Sequence, residues 1–394
     1  MPIVIDVLIV LLVLGALGTG LRIGLFSSLG MICGLVVGGI LAPWVLPLVS
    51  SAVTDDAWRG TAVIGSAVGL LLLGAGAGAA IGALIRSGAD KLKLRVLERL
   101  LGGIVTTVAA TLALSLTGAG IAAAGIPFVS SAVASSNILR AIDDVTPAPL
   151  TDGMARLHGA ILGDTVLPTI DGLLDDVDFS QTPDLDGIET ESPELAQAAM
   201  SVARVSGLAS ACGSLQSGSA FVVDDGMLVT NAHVVAGVET VMVELPGERA
   251  QDGRVVYFDP AQDLAVIAAD VEAPPLDIAD SVQPGDAAVV QGYPHGGAFR
   301  NVPAAVAASG TIAVTDIYGG SASERSVLTL EAVVEPGNSG GPLLTESGEI
   351  AGVIFAKDET RANIGYAMSN EELLPVVDAL GSMDTPVSTG TCNR

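Results

Sequence analysis

The chain has 394 residues, half of them apolar, and a mean hydropathy of +0.61, which is above what a domain of ordinary soluble composition reaches. Residues 1–130 carry 7 basic and 5 acidic side chains, whereas residues 131–394 carry 10 basic and 38 acidic, a net charge of −28. This composition excludes disorder throughout and a nucleic-acid surface in the C-terminal part, and it predicts that part of the chain lies in a membrane.

Four long apolar runs precede residue 127 and cover residues 3–21, 24–49, 61–85 and 101–126. Each run reaches the roughly 20 residues that an α-helix needs to cross the hydrocarbon core of a bilayer. Glycine recurs every fourth residue in the second and third runs, at Gly30, Gly34, Gly38, Gly74, Gly78 and Gly82. This spacing predicts either close packing of neighbouring helices or only the general glycine enrichment of membrane helices.

Basic residues between the runs predict the orientation of the helices. Arg22 follows the first run, and five basic residues separate the third run from the fourth: Arg86, Lys91, Lys93, Arg95 and Arg99. Because positively charged loops stay in the cytoplasm, both termini and all residues after 127 are expected outside it. The predicted organisation is a four-span transmembrane domain over residues 1–126, with the lipid bilayer as its partner.

Residues 1–125 resemble the colicin V production protein family of small membrane proteins. The likeness rests on a first span that begins near Asp6, on the short turn over residues 20–22 and on the glycine pattern of the second span. The resemblance implies a four-helix membrane module.

Residues 127–199 are predicted to connect this module to a second folded domain. Apolar residues fall at helical spacing up to Leu162, whereas residues 171–193 are rich in Asp and Glu and poor in aromatic residues. We expect a short helical stalk followed by a flexible acidic linker.

Residues 200–394 contain eleven short segments with the composition of β-strands, separated by turn signals such as Asp225-Gly226. Many short strands with frequent turns predict an all-β barrel or sandwich. One helix is expected near the end of the chain, over residues 371–380, with Asn370 as its N-cap.

Three segments of this domain carry the side chains of nucleophilic catalysis. Hydrolysis of an amide by serine needs a base beside the hydroxyl, an acid that orients the base, and donors for the oxyanion. His233, Asp263 and Ser339 supply the base, the acid and the nucleophile, in that order along the chain. The glycines around Ser339 allow a sharp turn over Gly337, Asn338 and Ser339, and this turn is the expected oxyanion hole.

With these motifs, residues 200–394 resemble the chymotrypsin-fold serine proteases of the bacterial trypsin-like class, close to the high-temperature-requirement proteases. The resemblance implies two perpendicular six-stranded barrels, with His233, Asp263 and Ser339 in the cleft between them. Together with the membrane module, the chain is more narrowly similar to the actinobacterial membrane serine proteases of acid resistance. That likeness implies a role in acid and oxidative stress and cell-wall enzymes among the substrates. No cofactor or metal is expected.

The expected S1 pocket is walled by the segment before Ser339 and by the strand over residues 364–366. The candidate substrate-binding residues are Val333, Val334, Ile364, Gly365 and Tyr366. Because the first segment has no Asp, a small or medium apolar P1 residue is favoured over a basic one. Asn338 stands where digestive proteases have Asp, so activation by an ion pair with a newly cut N-terminus is not expected.

Cys212 and Cys392 predict a disulfide bond, because thiols outside the cytoplasm tend to pair. Two free thiols are the alternative. His295 is interpreted as a loop histidine, with a substrate-groove or pH-sensing role as the alternative.

The sequence therefore predicts a membrane-anchored, extracytoplasmic serine endopeptidase that acts on proteins or peptides and cleaves its own linker. Two alternatives stay open: a catalytically quiet sensing or binding module, and a membrane transporter with a regulatory ectodomain. No nucleic-acid partner is expected, and the oligomeric state is not predicted.

Overall fold

The computed structural model of the protein describes residues 2–52, 56–89, 95–123, 129–147, 149–151, 153–156, 167–170, 179, 182–209 and 214–392. The chain divides into two compact units: residues 3–115 form one, and residues 1–2 with 116–394 form the other. Some predicted features lie outside the described residues, namely Cys212, Lys91, Lys93, Leu162 and residues 171–178 of the acidic linker.

The described residues of the N-terminal region form long helices. They are α1 (Pro2–Ile23), α2 (Leu25–Ala52), α3 (Asp56–Ala89) and α4 (Arg95–Ala123). Among the described residues, two helical stretches, Ile3–Ile23 and Val96–Ala122, are long and apolar enough to cross a membrane by length and composition. Shorter apolar stretches lie in α2 and α3, at Leu25–Leu41 and Gly69–Ile85. The predicted helical region is confirmed, and two of its four spans meet the length criterion.

Glycines bring α2 and α3 into close contact. A Cβ atom added at Gly34 would overlap the backbone oxygen of Gly74, and one added at Gly30 would overlap that of Gly78. Because hydrogen replaces the side chain at these positions, the two backbones approach more closely than larger residues allow. Of the two interpretations of the glycine spacing, the structure supports close helix packing.

Short elements precede the β-rich part. They are α5 (Val129–Ala134), α6 (Asn137–Val145), the two-residue strand β1 (Thr169–Ile170) and α7 (Pro193–Ala199). Ser192 is the N-cap of α7, because its Oγ accepts the backbone N–H of Leu195 at 3.2 Å. Leu195 and Ala198, one helical turn apart, are buried in a cluster with side chains of the β-strands. The last residues of the predicted linker therefore form a helix that packs on the β-rich core.

Six antiparallel strands form the first barrel. They are β2 (Val202–Ala209), β3 (Ser214–Asp224), β4 (Met227–Thr230), β5 (Val241–Glu244), β6 (Gln251–Asp259) and β7 (Leu264–Ala268). The barrel is closed, in the order β2-β3-β4-β7-β6-β5. Its core is aliphatic and includes Val205, Leu228 and Ile267, each fully buried.

The remaining strands form a second sheet together with β1. They are β8 (Ala287–Gly292), β9 (Arg300–Thr315), β10 (Ala322–Glu331), β11 (Pro342–Leu344), β12 (Ile350–Asp358) and β13 (Ile364–Ser369). Their order is β1-β12-β11-β8-β9-β10-β13, and β12 also pairs with β13. The predicted β-barrel architecture is thus confirmed for the first barrel. The strand β11, which has only three residues, is not among the predicted strands.

The C-terminal helix α9 (Asn370–Asp378) begins where it is expected, but its predicted N-cap is wrong. Ser369 caps the helix, because its Oγ accepts the N–H of Glu371. Asn370 is buried, and its Nδ2 donates to the carbonyl oxygens of Ala279 at 2.9 Å and Ile350 at 2.8 Å. The side chain of Asn370, which local spacing predicts to cap the helix, therefore makes tertiary hydrogen bonds instead.

After α9, the tail returns to the first barrel. The N–H of Val387 donates to the carbonyl oxygen of Val255 at 2.9 Å, and the carbonyl oxygen of Thr389 accepts the N–H of Gly237 at 3.0 Å. Cys392 is partly buried against the core cluster of that barrel. The tail thus connects α9, which packs on the second sheet, to the first barrel.

Candidate active site

Strand pairing places His233 beside Asp263. Thr230, the last residue of β4, pairs with Ala265 near the start of β7. The chain that leaves β4 and the chain that enters β7 therefore meet at one edge of the first barrel. His233 lies in the short helix α8 (Ala232–Val235) that follows β4, and Asp263 immediately precedes β7.

The carboxylate of Asp263 accepts two hydrogen bonds from His233. Oδ2 lies 2.8 Å from Nδ1 of the imidazole, and Oδ1 accepts the backbone N–H of His233 at 2.9 Å. Both residues are buried, and Asp263 has a left-handed backbone with φ of 57°. That conformation is uncommon for a residue other than glycine and is typical of functional sites. A carboxylate on Nδ1 keeps the proton there and leaves Nε2 as a proton acceptor.

Ser339 lies in the glycine-rich turn between β10 and β11. Two glycines of this turn have positive φ, 97° at Gly337 and 78° at Gly340. A Cβ atom at Gly340 would overlap the carbonyl oxygen of Ser219 and the hydroxyl of Thr230. Both conformation and space therefore require glycine at this position.

The two atoms that would exchange a proton are both buried. Ser339 Oγ and His233 Nε2 have no hydrogen-bond partner among the residues that the structure describes. A buried polar atom without a partner is rare and costs about 1–3 kcal/mol. The structure thus contains the His233–Asp263 part of the predicted triad, whereas Ser339 is not hydrogen-bonded to His233.

Backbone hydrogen bonds orient the turn before Ser339. The N–H of His295 donates to the carbonyl oxygen of Pro336 at 2.5 Å, and the N–H of Asn338 donates to that of Glu335 at 3.0 Å. Within the described part of the chain, no group accepts a hydrogen bond from the N–H of Gly337 or Ser339. Those two N–H groups are available to an oxyanion. The N–H of Asn338 is already engaged, so of the three predicted oxyanion residues only Gly337 and Ser339 have a free donor.

His295 lies against this turn and not on an isolated loop. Its backbone is left-handed, with φ of 55°, and its Nε2 is 3.4 Å from Oε1 of Glu335. The same carboxylate oxygen lies 3.0 Å from Nη2 of Arg156 in the connector. His295 therefore lies beside the turn that precedes Ser339, and its role as a loop, groove or pH-sensing residue stays a prediction.

Arg204 holds the loop that contains His295. Its guanidinium forms two hydrogen bonds with Glu244, at 2.8 and 3.2 Å, and Nη1 donates to the carbonyl oxygen of Gly296 at 3.1 Å. The carboxylate of Glu244 raises the pKa of Arg204. Burial raises the pKa of Tyr293 in the same loop to about 12, so its phenol stays neutral and donates to the carbonyl oxygen of Val202 at 3.2 Å. Arg204 is not among the predicted site residues, and its only signal in the sequence is a cation within an apolar strand.

The five predicted substrate-binding residues do not form one wall. Gly365 lies directly against Val334, because a Cβ atom at Gly365 would overlap a methyl group of that valine. Ile364 and Tyr366 are buried in a different core cluster, since alternate residues of a strand point to opposite faces. Val333 is half exposed. The structure thus brings Val334 and Gly365 into direct contact and places Ile364 and Tyr366 in another core cluster.

The connector occupies one edge of β12. β1 pairs with β12 in parallel, and the N–H of Lys357 donates to the carbonyl oxygen of Pro168 at 3.0 Å. The neighbouring Leu167 is buried in the cluster that contains Val334. Part of the connector therefore packs in the same core cluster as Val334.

Two family models match the chain. Residues 218–353 match the trypsin-like peptidase domain, and residues 5–147 match the colicin V production protein. The serine protease Rv3671c of Mycobacterium tuberculosis is 33% identical over 274 residues, which cover 68% of this chain and 67% of the relative. The putative serine protease HhoB of Synechocystis is 34% identical over 183 residues, which cover 43% of this chain and 42% of the relative.

A solved structure agrees with the sequence comparison. The crystal structure of the active form of the Rv3671c protease from M. tuberculosis aligns with a TM-score of 0.52 and 34% identity. The alignment covers 54% of this chain and 93% of that chain.

Proposed function

The chain belongs to the family of trypsin-like serine proteases that carry an N-terminal colicin V production domain, and on this premise we propose that His233, Asp263 and Ser339 are its catalytic triad. The protein is a membrane-associated serine endopeptidase whose substrates are proteins or peptides. The observation that carries the assignment is the pair of hydrogen bonds from His233 to Asp263. It fixes both the orientation and the tautomer of the imidazole that a general base requires.

In the proposed mechanism, Nε2 of His233 accepts the hydroxyl proton of Ser339 as Oγ attacks the scissile carbonyl. The imidazolium that forms is stabilised by the carboxylate of Asp263. The free N–H groups of Gly337 and Ser339 bind the developing oxyanion. His233 then gives its proton to the leaving amine, and a water activated by the same imidazole hydrolyses the acyl-enzyme. Before the first step, Ser339 Oγ and His233 Nε2 must come within hydrogen-bond distance.

The experiment is labelling of the membrane-embedded chain with a fluorophosphonate probe, followed by mapping of the labelled residue. We expect label on Ser339 in the wild type and none in Ser339→Ala. Wild-type protein that hydrolyses no peptide and takes up no label would favour the quiet sensing module instead. Label that persists in Ser339→Ala would place the nucleophile elsewhere.

We further propose that the second sheet closes into a second six-stranded barrel. The support is the pairing of β12 with β13, in which Val353 lies opposite Met368 and Ile354 opposite Ala367. Without β1, β12 and β13 are the first and last strands of the sheet, so their pairing closes it into a barrel of six strands. The proposal also gives a cleft between two barrels, in which Ser339 comes from the second and His233 from the first.

For the membrane part, we propose four spans with both termini outside the cytoplasm. The support is the basic side chain of Arg22 at the end of α1 and those of Arg95 and Arg99 at the start of α4. The test is thiol labelling of single cysteines introduced beside Arg99 and at Asp252, in intact and permeabilised cells. Labelling of the site at Asp252 only after permeabilisation would contradict an extracytoplasmic protease.

We also propose self-cleavage in the connector, and stress-related substrates that include cell-wall enzymes. The α7 helix and β2 contain fully buried Leu195 and Val202, and a protease needs an extended, accessible chain. The expected cuts therefore precede Ser192. N-terminal sequencing of released fragments should find such ends in wild type and not in Ser339→Ala, and proteomics of the same two strains would identify other substrates.

A further inference from the structure

Ser219 is a fully buried side chain of β3 that contacts the turn carrying the nucleophile. Its Oγ donates to the carbonyl oxygen of Gly337 at 2.7 Å and accepts the N–H of Tyr293 at 2.9 Å. Its backbone N–H donates to the carbonyl oxygen of Ser339 at 2.8 Å. One residue of the first barrel thus holds the turn on both sides of Asn338.

The contacts of Ser219 hold the two peptide planes next to those of the free donors, because the carbonyl of Gly337 shares a plane with the N–H of Asn338 and that of Ser339 with the N–H of Gly340. The carbonyl of Pro336 is held by the N–H of His295, so the N–H of Gly337, on the opposite side of that peptide, points away from this contact. The carbonyl of Gly337 is held by the Ser219 hydroxyl. Since glycine rotates freely about φ and ψ, Gly337 needs such external contacts to keep one orientation.

The surroundings leave space for this hydroxyl. A Cβ atom at Gly292 would lie 2.7 Å from Ser219 Oγ, and one at Gly341 would lie 3.2 Å from Ser219 Cβ. Both neighbours are glycine, so the serine side chain fits between them. Its single proton is donated to the carbonyl oxygen of Gly337, and one of its two lone pairs accepts the N–H of Tyr293.

We infer that Ser219 is a positioning residue for the oxyanion hole: it acts through Gly337 and Ser339 and does not touch the substrate. The inference rests on the proposed function, because it assumes that the oxyanion binds at these two N–H groups. Preorganised donors stabilise charge that develops only in the transition state. Loss of the Ser219 hydroxyl should therefore lower kcat more than it raises KM.

The test compares Ser219→Ala and Ser219→Cys with wild type in the full chain, using a peptide substrate and a peptide boronate of the same sequence. The cysteine variant fills the site but donates a hydrogen bond only weakly. We expect kcat to fall about 10- to 100-fold in both variants, with KM changed by no more than about 2-fold, because loss of a direct oxyanion donor costs about 100- to 1,000-fold. The boronate, whose tetrahedral adduct places an oxygen in the hole, should lose affinity by the same factor as kcat/KM.

Ser201→Ala is the matched control. Ser201, which immediately precedes β2, is also fully buried, but its Oγ donates to the carbonyl oxygen of Pro274, outside the oxyanion turn. Ser201→Ala should lower Tm by about as much as Ser219→Ala does, and it should leave kcat and the boronate affinity unchanged. All rates are measured at least about 10 °C below the lowest Tm of the series, so that every variant is folded.

Unchanged kcat in both Ser219 variants, or a loss expressed only in KM, would overturn the inference. So would an unchanged boronate affinity beside a reduced kcat. Failure of the proposed function is recognised separately, because either the wild type would then hydrolyse no peptide or Ser339→Ala would retain wild-type turnover.

Discussion

The carboxylate of Asp263 accepts hydrogen bonds from both the backbone N–H and Nδ1 of His233, at 2.9 and 2.8 Å. The bond to the backbone N–H fixes the position of the His233 main chain, and the bond to Nδ1 fixes the rotation of the imidazole ring. The side chain of Asp263 therefore determines both the position and the orientation of the imidazole. Asp263 makes this double contact from a left-handed backbone, with φ of 57°.

Asp263→Asn should therefore lower kcat by about 10⁴-fold, because an amide at this position favours the wrong tautomer of His233. The measurement is turnover of a peptide substrate over a pH series. Asp252→Asn, which changes an exposed carboxylate of the same barrel, is the control and should keep wild-type turnover. Near-normal activity of Asp263→Asn would contradict the role assigned to the acid.

Arg204 and Glu244 should contribute to stability as a coupled pair. Their side chains are 28% and 16% exposed, so water screens the interaction only in part. We expect a coupling of about 1–2 kcal/mol in a double-mutant cycle of Arg204→Met and Glu244→Gln. Thermal unfolding of the four proteins in detergent gives the cycle, and strictly additive effects would show that the pair is not coupled.

The carboxylate of Asp358 should make stability depend on pH. Burial opposes its ionisation, but hydrogen bonds from Thr360, Arg361 and the hydroxyl of Tyr366 outweigh this and lower its pKa below 3.8. A lowered pKa in the folded state contributes stability above the unfolded value near 3.8, and this stability is lost as pH falls through the folded pKa.

Asp358→Asn should accordingly lower Tm at pH 7, by about 2–4 °C for each kcal/mol lost. The difference from wild type should narrow as pH falls below about 4, because the unfolded wild type is protonated first and the folded wild type follows as pH passes its lowered pKa. Differential scanning calorimetry at pH 7 and pH 3 measures it. A Tm difference between wild type and Asp358→Asn that is larger at pH 3 than at pH 7 would contradict a lowered pKa of Asp358.

The predicted disulfide should tie the tail to the first barrel. Cys212 is outside the described residues, whereas Cys392 packs against the core of that barrel, and a Cβ atom at Gly237 would lie 3.0 Å from its Sγ. If the bond forms, Cys392→Ser should lower stability by about 2–5 kcal/mol and reduce turnover, most clearly when warm or at pH 5. Equal Tm values with and without reductant in wild type would show that the bond is absent or makes no contribution.

Gly34 offers a test of the helix pair in the membrane. Gly34→Leu would force α2 and α3 apart, since even a Cβ atom there overlaps the backbone of α3. Tm in detergent should fall by about 10 °C or more, as expected for severe overpacking. Gly39→Leu is the matched control, because nothing lies within 4 Å of a Cβ atom at Gly39 on the same helix. Equal effects of the two substitutions would contradict close packing at Gly34.

Patterns that are local in sequence were sufficient for much of this protein. The period at which apolar residues recur follows directly from which side chains are buried. The apolar runs and the glycine spacing of α2 and α3 therefore predicted the helical region, and the short alternating segments predicted the β-barrel. The motifs around His233, Asp263 and Ser339 also stand in order along the chain. The sequence therefore predicted the enzyme class and its three candidate residues.

Tertiary structure decided which distant groups meet. The pairing of β4 with β7 brings Asp263 to His233. The approach of β3 to the glycine-rich turn lets Ser219 hydrogen-bond to Gly337, close to the nucleophile. Asn370 does not cap α9 as predicted, because its amide donates hydrogen bonds to two carbonyl oxygens that are distant in sequence. No local pattern contains these choices, because a buried polar group takes whichever partner the packed chain places beside it.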